Sequence, residues 1–228
     1  LGEERWAASA DSLGRRLSRQ AIRYPFGGGW RDGKSRKCHT GFGHGASGAA
    51  WALLELYGTT GRAAYRRAAE QAFAYERRFY RAREGNWLDL RRRPPSCATY
   101  WCHGAPGMAL ARLRALELAG MESVRAEAEA AVRTTRRAVE QALGSGQDGL
   151  PLCHGLAGNA DVLLESGSRD LRGLVDAAAL QCAKMGPLLY SQRPGLLEGL
   201  AGIGYFRLRA TRPDTPSILA PARPRRRA

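Results

Sequence analysis

Apolar and polar residues alternate along this chain in blocks that repeat about every 50 residues. Four mostly apolar runs, at residues 49–56, 108–118, 156–164 and 200–208, each lie at or just after a glycine-rich motif. A helix that is apolar on most of its sides belongs in a protein interior, so these runs predict four inner helices. More polar runs lie between them, and their apolar residues recur every three to four positions, which predicts amphipathic outer helices. The apolar positions of these outer helices are Tyr65, Ala68, Ala69, Ala72, Phe73, Phe79, Val124, Ala128, Ala131, Val132, Thr135, Val139, Ala142, Leu171, Leu174, Val175 and Ala178.

The glycine-rich motif itself occurs four times and reads X-G-x-x-G. Its copies begin at His44, His103, His154 and Glu198, so successive copies are 59, 51 and 44 residues apart. A repeat of motif, inner helix, turn and outer helix predicts an all-α fold, either an α/α toroid or a solenoid. In a ring of this kind every inner helix starts at the same end, so the motif loops are expected to converge although they are distant in sequence.

The length of 228 residues suits one globular unit. We expect one α/α toroid domain over residues 1–212, a partial ring with about four motif repeats, and a basic, disordered tail over residues 213–228. β-Branched runs with a period of two are absent, so no sheet is expected beyond a short hairpin. The start at Leu1 shows neither an initiator methionine nor a signal-peptide pattern, which predicts that the numbering begins inside a longer polypeptide.

The composition narrows the possible function classes. The net charge is +15 and most of the positive charge is arginine, but no basic stripe is interleaved with aromatic residues, so nucleic acid is not the expected partner. No window approaches the roughly 18 uninterrupted apolar residues of a membrane span. The five cysteines are odd in number and three of them precede a histidine, which favours a reducing, cytoplasmic compartment and metal ligation over disulfides.

Two Cys-His pairs, Cys102-His103 and Cys153-His154, lie in the same position of successive repeats. Two thiolates and one imidazole form a ligand set that suits zinc, and three protein ligands with an open fourth position are typical of a catalytic site. We therefore predict that Cys102, Cys153 and His154 bind one Zn²⁺ ion. The two pairs together offer four donors, and binding by all four would instead give a closed, structural site. The choice between His103 and His154 as the histidine ligand stays open at this point.

Two further motif positions carry ionisable side chains. His44 has no cysteine neighbour, so we expect its ring to face the metal and to move protons, since histidine titrates near neutral pH; the alternative is a helix-start histidine bonded to a backbone carbonyl. Glu198 is either a hydrogen-bond partner of a ligand histidine or a negative charge favoured at a helix N-terminus. The other cysteines, Cys38, Cys97 and Cys182, are expected to be packing residues.

Other catalytic motifs are absent from the sequence. It contains no phosphate-binding G-x-x-x-x-G-K-[ST] loop, no H-E-x-x-H zinc motif and no G-x-S-x-G nucleophile elbow.

The four motifs together resemble those of lanthionine synthetase C-like cyclases, and the resemblance covers almost the whole chain. The stretch at residues 86–91 and the ending near residues 216–219 are similar to the C-terminal cyclase domain of class II lanthipeptide synthetases. The motifs that carry the resemblance are Gly43-His44-Gly45-x-x-Gly48, Trp101-Cys102-His103-Gly104-Ala105-Pro106-Gly107, Cys153-His154-Gly155-x-x-Gly158-Asn159 and Gly199-Leu200-Ala201-Gly202-Ile203-Gly204.

The resemblance implies a ring of seven inner and seven outer helices with a Zn²⁺ ion bound by Cys102, Cys153 and His154. It also implies a function: the metal activates a cysteine thiol of a precursor peptide, which adds to dehydroalanine or dehydrobutyrine and forms a lanthionine or methyllanthionine thioether ring. The residue matching His44 would handle protons during the addition. The implied partners are a precursor peptide, made of a leader and a dehydrated core, and an upstream dehydratase domain on the same natural chain.

The chain also departs from the family pattern. Ala98 stands where class I cyclases have an arginine, and the early repeats, with an acidic residue that they supply, are missing. These departures favour an alternative function, a catalytically degenerate module that binds a peptide or a thiol. A third possibility is another α/α-toroid zinc enzyme such as a prenyltransferase, which also activates a thiol, but the aspartate ligand of that family is absent from these motifs.

Overall fold

The spacing of apolar residues produces a chain that is mainly α-helical. The computed structural model describes residues 3–33, 37–145, 149–190, 192–212 and 214–220, and within them the chain forms eight α-helices. In chain order these are α1 (Glu3–Gln20), α2 (Ala46–Thr60), α3 (Ala63–Arg77), α4 (Ala105–Ala119), α5 (Arg125–Ser145), α6 (Leu156–Glu165), α7 (Arg172–Tyr190) and α8 (Leu200–Thr211). Short 3₁₀ turns, Glu122–Val124 and Arg169–Leu171, lead into α5 and α7.

The four inner helices, α2, α4, α6 and α8, each begin directly after the first glycine of a motif. The backbone at Gly104 shows why a glycine is needed there. Its φ is +91°, and a Cβ atom at this position would collide with the carbonyl oxygen of Ala98. Glycine adopts this conformation without a steric cost, so the motif sets the point at which the chain turns into the helix.

The inner and outer helices alternate as predicted. Helix α2 packs beside α4, α4 beside α6, and α6 beside α8, while α3, α5 and α7 pack on the outside of the inner helices that precede them. The apolar faces predicted for the outer helices point inward, with Tyr65, Phe73, Val139 and Val175 all buried. The all-α arrangement of inner and outer helices is therefore confirmed.

Five short strands are also present in the described residues. Strands β1 (Ile22–Tyr24) and β2 (Gly27–Gly29) form the hairpin that the sequence allowed, with Tyr24 opposite Gly27. Strands β3 (Tyr80–Arg81), β4 (Asn86–Asp89) and β5 (Ser96–Cys97) form an antiparallel sheet in the order β3-β4-β5. The sequence analysis did not expect this sheet, because strands of two to four residues are too short to show a period of two.

The three-stranded sheet matters because it supports the second motif loop. Trp87 on β4 is completely buried in the larger of two apolar clusters, which lies between α4, α5, α6 and α8. Strand β5 ends at Cys97, five residues before Cys102. The sheet therefore anchors the segment that leads to the first predicted metal ligand.

The C-terminal segment differs from the predicted disordered tail over residues 214–220. Ser217 and Leu219 are buried, and the carbonyl oxygen of Leu219 accepts a hydrogen bond of 2.9 Å from Trp101 Nε1. Residues 214–220 contain no basic residue and include the apolar Ile218 and Leu219, whereas the arginines of the tail begin at position 223, which explains the difference. Pro213 and residues 221–228 lie outside the described residues. Among the helices that are described, none is long and apolar enough to cross a membrane.

Candidate metal and catalytic site

The loops that carry the four motifs lie side by side, as the repeat predicted. The amide nitrogen of Gly43, before α2, donates a hydrogen bond of 3.2 Å to the carbonyl oxygen of Cys102, before α4. The amide nitrogen of Cys153, before α6, donates one of 2.9 Å to the carbonyl oxygen of Leu197, before α8. Main-chain bonds therefore join the first loop to the second and the third loop to the fourth.

The two predicted cysteine ligands meet across the gap between the second and third loops. The interaction between the two thiols lowers the pKa of Cys102 and raises the pKa of Cys153. The partial burial of Cys153 and the negative charge of Glu198 raise the pKa of Cys153 further. The two thiol groups are therefore close enough to interact, although they come from successive repeats.

Cys153 also belongs to a second group of possible ligands. Cys153, His154 and Glu198 each offer one ligand atom, and these atoms all lie within 4.8 Å of one another. His154 and Glu198 are exposed, and the ring of Tyr100 meets the ring of His154 edge to face at 6.0 Å. Cys102 does not belong to this group, so among the described residues Cys153 and His154 come together within this distance without the third predicted ligand.

Glu198 belongs to this group of possible ligands, although the sequence analysis did not consider it as a ligand. The alternatives there were a hydrogen-bond partner of a ligand histidine or a helix-terminal charge, and the geometry makes Glu198 a possible ligand as well. Sulfur, imidazole nitrogen and carboxylate oxygen are all atoms that zinc accepts. The donor set around Cys153 therefore fits a zinc ion.

His44 reaches the site from the motif loop before α2. Its exposed ring stacks on the ring of His103 with a centroid distance of 5.3 Å and an angle of 2° between the planes. His103 is almost completely buried, and burial lowers its pKa to about 4, so its ring is neutral at neutral pH. The exposed ring of His44 therefore stacks on the buried, uncharged ring of His103, the residue that follows Cys102 in the chain.

An aspartate and an arginine from the end of β4 complete this side of the site. Arg91 Nε and Nη2 donate to the two carboxylate oxygens of Asp89, each at 3.1 Å. Asp89 Oδ1 lies 3.8 Å from His103 Nδ1, and the positive charge of Arg91 lowers the pKa of both Cys102 and Cys153. The sequence analysis used residues 86–91 only as a mark of resemblance and missed this pair. The signal that could have found it is an aspartate two residues before an arginine.

The three cysteines predicted to be packing residues have different surroundings. Cys38 and Cys182 are buried in the two apolar clusters, as expected. Cys97 is only half-buried and lines a cleft of about 260 Å³ beside Tyr100. Asn159, which also lines this cleft, donates through Nδ2 to the carbonyl oxygen of Thr99 at 2.9 Å.

Comparisons with known proteins agree with the fold. The family model described as lanthionine synthetase C-like protein matches residues 27–221. The solved structure of a nisin cyclase is similar in fold, with a TM-score of 0.67 over 92% of this chain at 16% sequence identity. This chain spans 58% of the length of that cyclase, and at such an identity the likeness shows the fold alone.

Proposed function

The chain belongs to the lanthionine synthetase C-like family, and from this premise we propose that it closes thioether rings in a precursor peptide. A cysteine thiol of the peptide would add to a dehydroalanine or dehydrobutyrine residue and so form lanthionine or methyllanthionine. The observation that carries the proposal is the group of Cys153, His154 and Glu198 with the thiol of Cys102 beside Cys153. The exposed ring of His44 stacks on His103, which follows Cys102 in the chain.

The proposed metal ligands are Cys102, Cys153 and His154. The contact between the two thiols and the short distances from Cys153 to His154 and Glu198 support a zinc site here. When bound, zinc would lower the pKa of a substrate thiol and supply a nucleophile at neutral pH. Glu198 would then orient His154 by a hydrogen bond, a role that carboxylates often have beside a histidine ligand.

The protein side chains would manage the proton that the addition requires. The thiolate sulfur forms a bond to the β-carbon of the dehydro residue, and the electron pair of the double bond moves toward the α-carbon and the carbonyl oxygen. A proton must then be delivered to the α-carbon. His44 is exposed and stacks on His103, the residue after Cys102, so we propose that its imidazolium donates this proton.

His103 and Arg91 would support this step without reacting. The buried, neutral ring of His103 fixes the orientation of His44 by stacking. The guanidinium of Arg91, held by Asp89, is a positive charge near the place where the carbonyl oxygen becomes negative. A fixed charge of this kind stabilises a developing negative charge.

The test of the proposal uses the purified chain and a synthetic peptide that contains one cysteine and one dehydroalanine. Because ring closure does not change the mass, the peptide is treated with iodoacetamide and the fraction that resists alkylation is measured by mass spectrometry. We expect about one zinc ion per chain and ring closure faster than in the peptide alone, with Cys153→Ala as the matched inactive control. A rate equal to that of the peptide alone would contradict the proposed activity.

A degenerate module that binds peptide or thiol without catalysis is the second candidate. The alanine at position 98, where class I cyclases have an arginine, favours it. Peptide binding in a calorimeter without any gain of alkylation resistance would support this candidate over the enzyme. The peptide substrate and an upstream dehydratase domain remain proposals under either candidate.

A further inference from the structure

One buried ion pair has no part in the chemistry proposed above. Glu76, in the last turn of α3, and Arg112, in the middle of α4, are both completely buried. Arg112 Nη1 lies 2.9 Å from Glu76 Oε2. Burying two charges costs several kcal/mol for each ion before their attraction is counted, so a pair at this place calls for an explanation beyond stability.

Glu76 binds both ends of the loop that carries His44. Its Oε1 accepts hydrogen bonds of 2.9 Å from the amide nitrogens of Gly41 and Ser47. Its Oε2 accepts a hydrogen bond from the hydroxyl of Ser47. His44 is three residues from each of these ends, so one carboxylate closes the whole loop.

The same loop presses against the loop that carries Cys102. The φ of Gly41 is +112°, and a Cβ atom there would lie 2.6 Å from the carbonyl oxygen of Cys102 and 3.1 Å from His103 Nδ1. Gly43 adds its hydrogen bond to the same carbonyl oxygen. The loop is therefore confined between Glu76 on one side and the Cys102-His103 segment on the other.

Arg112 connects this loop to the helix that follows Cys102. It is in the second turn of α4, and its Nη1 donates both to Glu76 and, at 2.6 Å, to the hydroxyl of Ser47. Its Nε donates to Glu127 on α5 at 3.1 Å. Helices α3, α4 and α5, which belong to successive repeats, are thus joined through Arg112 next to the His44 loop.

We infer that Glu76 and Arg112 are positioning residues, which hold the His44 loop against the Cys102-His103 loop and keep the two imidazole rings stacked. The pair touches neither ring itself, and it acts through Ser47 and the backbone of the loop. The consequence for the rate rests on the proposed function, whereas the effect on the ring contact does not.

A second buried pair provides a matched control. Asp161 on α6 and Arg209 on α8 are equally hidden from solvent, and Asp161 also accepts a hydrogen bond of 2.7 Å from the hydroxyl of Ser217. The partners of this pair lie in α6, α8 and the segment 214–220. Its loss should therefore disturb the fold without releasing the His44 loop.

The first readout is the contact between the rings of His44 and His103, which needs no activity. The chain contains four histidines, so single His variants assign their ring resonances in an NMR spectrum. We expect the nuclear Overhauser contact between the two rings to vanish in Glu76→Met/Arg112→Met and to persist in Asp161→Leu/Arg209→Met. Apolar replacement of both partners is chosen because it leaves no unpaired buried charge.

The second readout is the rate of ring closure, measured with and without His44→Ala. We expect the Glu76/Arg112 double variant to keep its zinc and to lose about 10²-fold in rate, since a 1 Å misplacement of a catalytic group costs about that much. In that background His44→Ala should have almost no further effect, because His44 is already out of place. In the Asp161/Arg209 background it should have its full effect.

Each outcome decides a separate point. A ring contact that survives in the Glu76/Arg112 variant overturns the inference, as does a full further loss of rate on adding His44→Ala. If the wild-type chain closes no ring, the proposed function fails, and the NMR contact alone decides whether the pair positions His44. Should the double variant fail to fold, Glu76→Met alone removes the acceptor of both loop amides while Arg112 keeps its hydrogen bond to Glu127, and an unchanged ring contact in that variant overturns the inference as well.

Discussion

The two walls of the site differ in how deeply their side chains are buried. The closed wall, formed by Cys102 and His103, is only 8% and 1% exposed. The open wall consists of Cys153, His154 and Glu198, and its histidine and glutamate are exposed. The closed wall is supported by the three-stranded sheet and by the segment 214–220, whereas the described contacts of the open wall are mostly with the neighbouring loop.

This difference indicates a division of roles. Under the proposed function, a peptide would have to reach the thiols from solvent, and it would approach along the open wall, where His154 and Glu198 are exposed. The closed wall is buried, and it provides the surface on which the ring of His44 stacks. Cys153 is the residue shared by both walls, because it contacts Cys102 as well as the His154 group.

The largest effect should follow from removing this shared residue. Cys153→Ala should reduce bound zinc from about one ion per chain to nearly none, because it takes a ligand from both possible sets. Zinc is measured by mass spectrometry of the digested protein after dialysis. Cys182→Ala is the matched control, since that thiol is completely buried in α7 and away from the site. Full zinc in Cys153→Ala would rule out a metal site built around this residue.

The sequence was sufficient to predict that the motif loops lie beside one another, as the main-chain hydrogen bonds between them show. Cys102 and Cys153 each lie shortly before an inner helix, and their separation of 51 residues is one full repeat. That the two thiols share one metal ion stays a prediction. The inner helices and the apolar faces of the outer helices followed from the same regularity.

The support behind the site could not be predicted in the same way. Glu76 lies in a run of charged residues on an outer helix, where such residues usually face solvent, and its partner Ser47 is 29 residues away. Nothing in a local pattern distinguishes a buried glutamate from an exposed one. The anchoring of Leu219 by Trp101 is likewise a pairing of residues 118 positions apart, which only the assembled fold reveals.

The next largest effect concerns His44, the proposed proton donor, whose ring stacks on His103 in the closed wall. His44→Ala should keep its zinc and slow ring closure about 10²- to 10⁴-fold, the usual contribution of a general acid. The alkylation assay measures the rate, and metal analysis measures the zinc in the same sample. His39→Ala is a control that removes another histidine, one that is buried whereas His44 is exposed. An unchanged rate would remove His44 from the mechanism and leave the closed wall with a purely structural role.

A smaller effect should distinguish the two possible ligand sets. If Cys102 is the third ligand and Glu198 only orients His154, Glu198→Gln should weaken zinc binding about 10- to 100-fold. Cys102→Ala should then weaken it more than Glu198→Gln does. Competition with a chelator of known affinity measures both. The reverse order would place the metal entirely on the open wall, bound by Cys153, His154 and Glu198.

The smallest expected effect tests whether the closed wall is supported from behind. Trp101→Phe removes the hydrogen bond from Nε1 to the carbonyl oxygen of Leu219, and a bond of this kind contributes about 1 kcal/mol. The free energy of unfolding in urea should fall by about this amount, and the segment 214–220 should become more sensitive to protease. Trp6→Phe is the control, because Trp6 is 66% exposed and surface changes usually stay within about 0.5 kcal/mol. Equal stability of the two variants would mean that the segment lies on the closed wall without supporting it, and the rigidity of that wall would then come from the sheet and the Glu76–Arg112 pair alone.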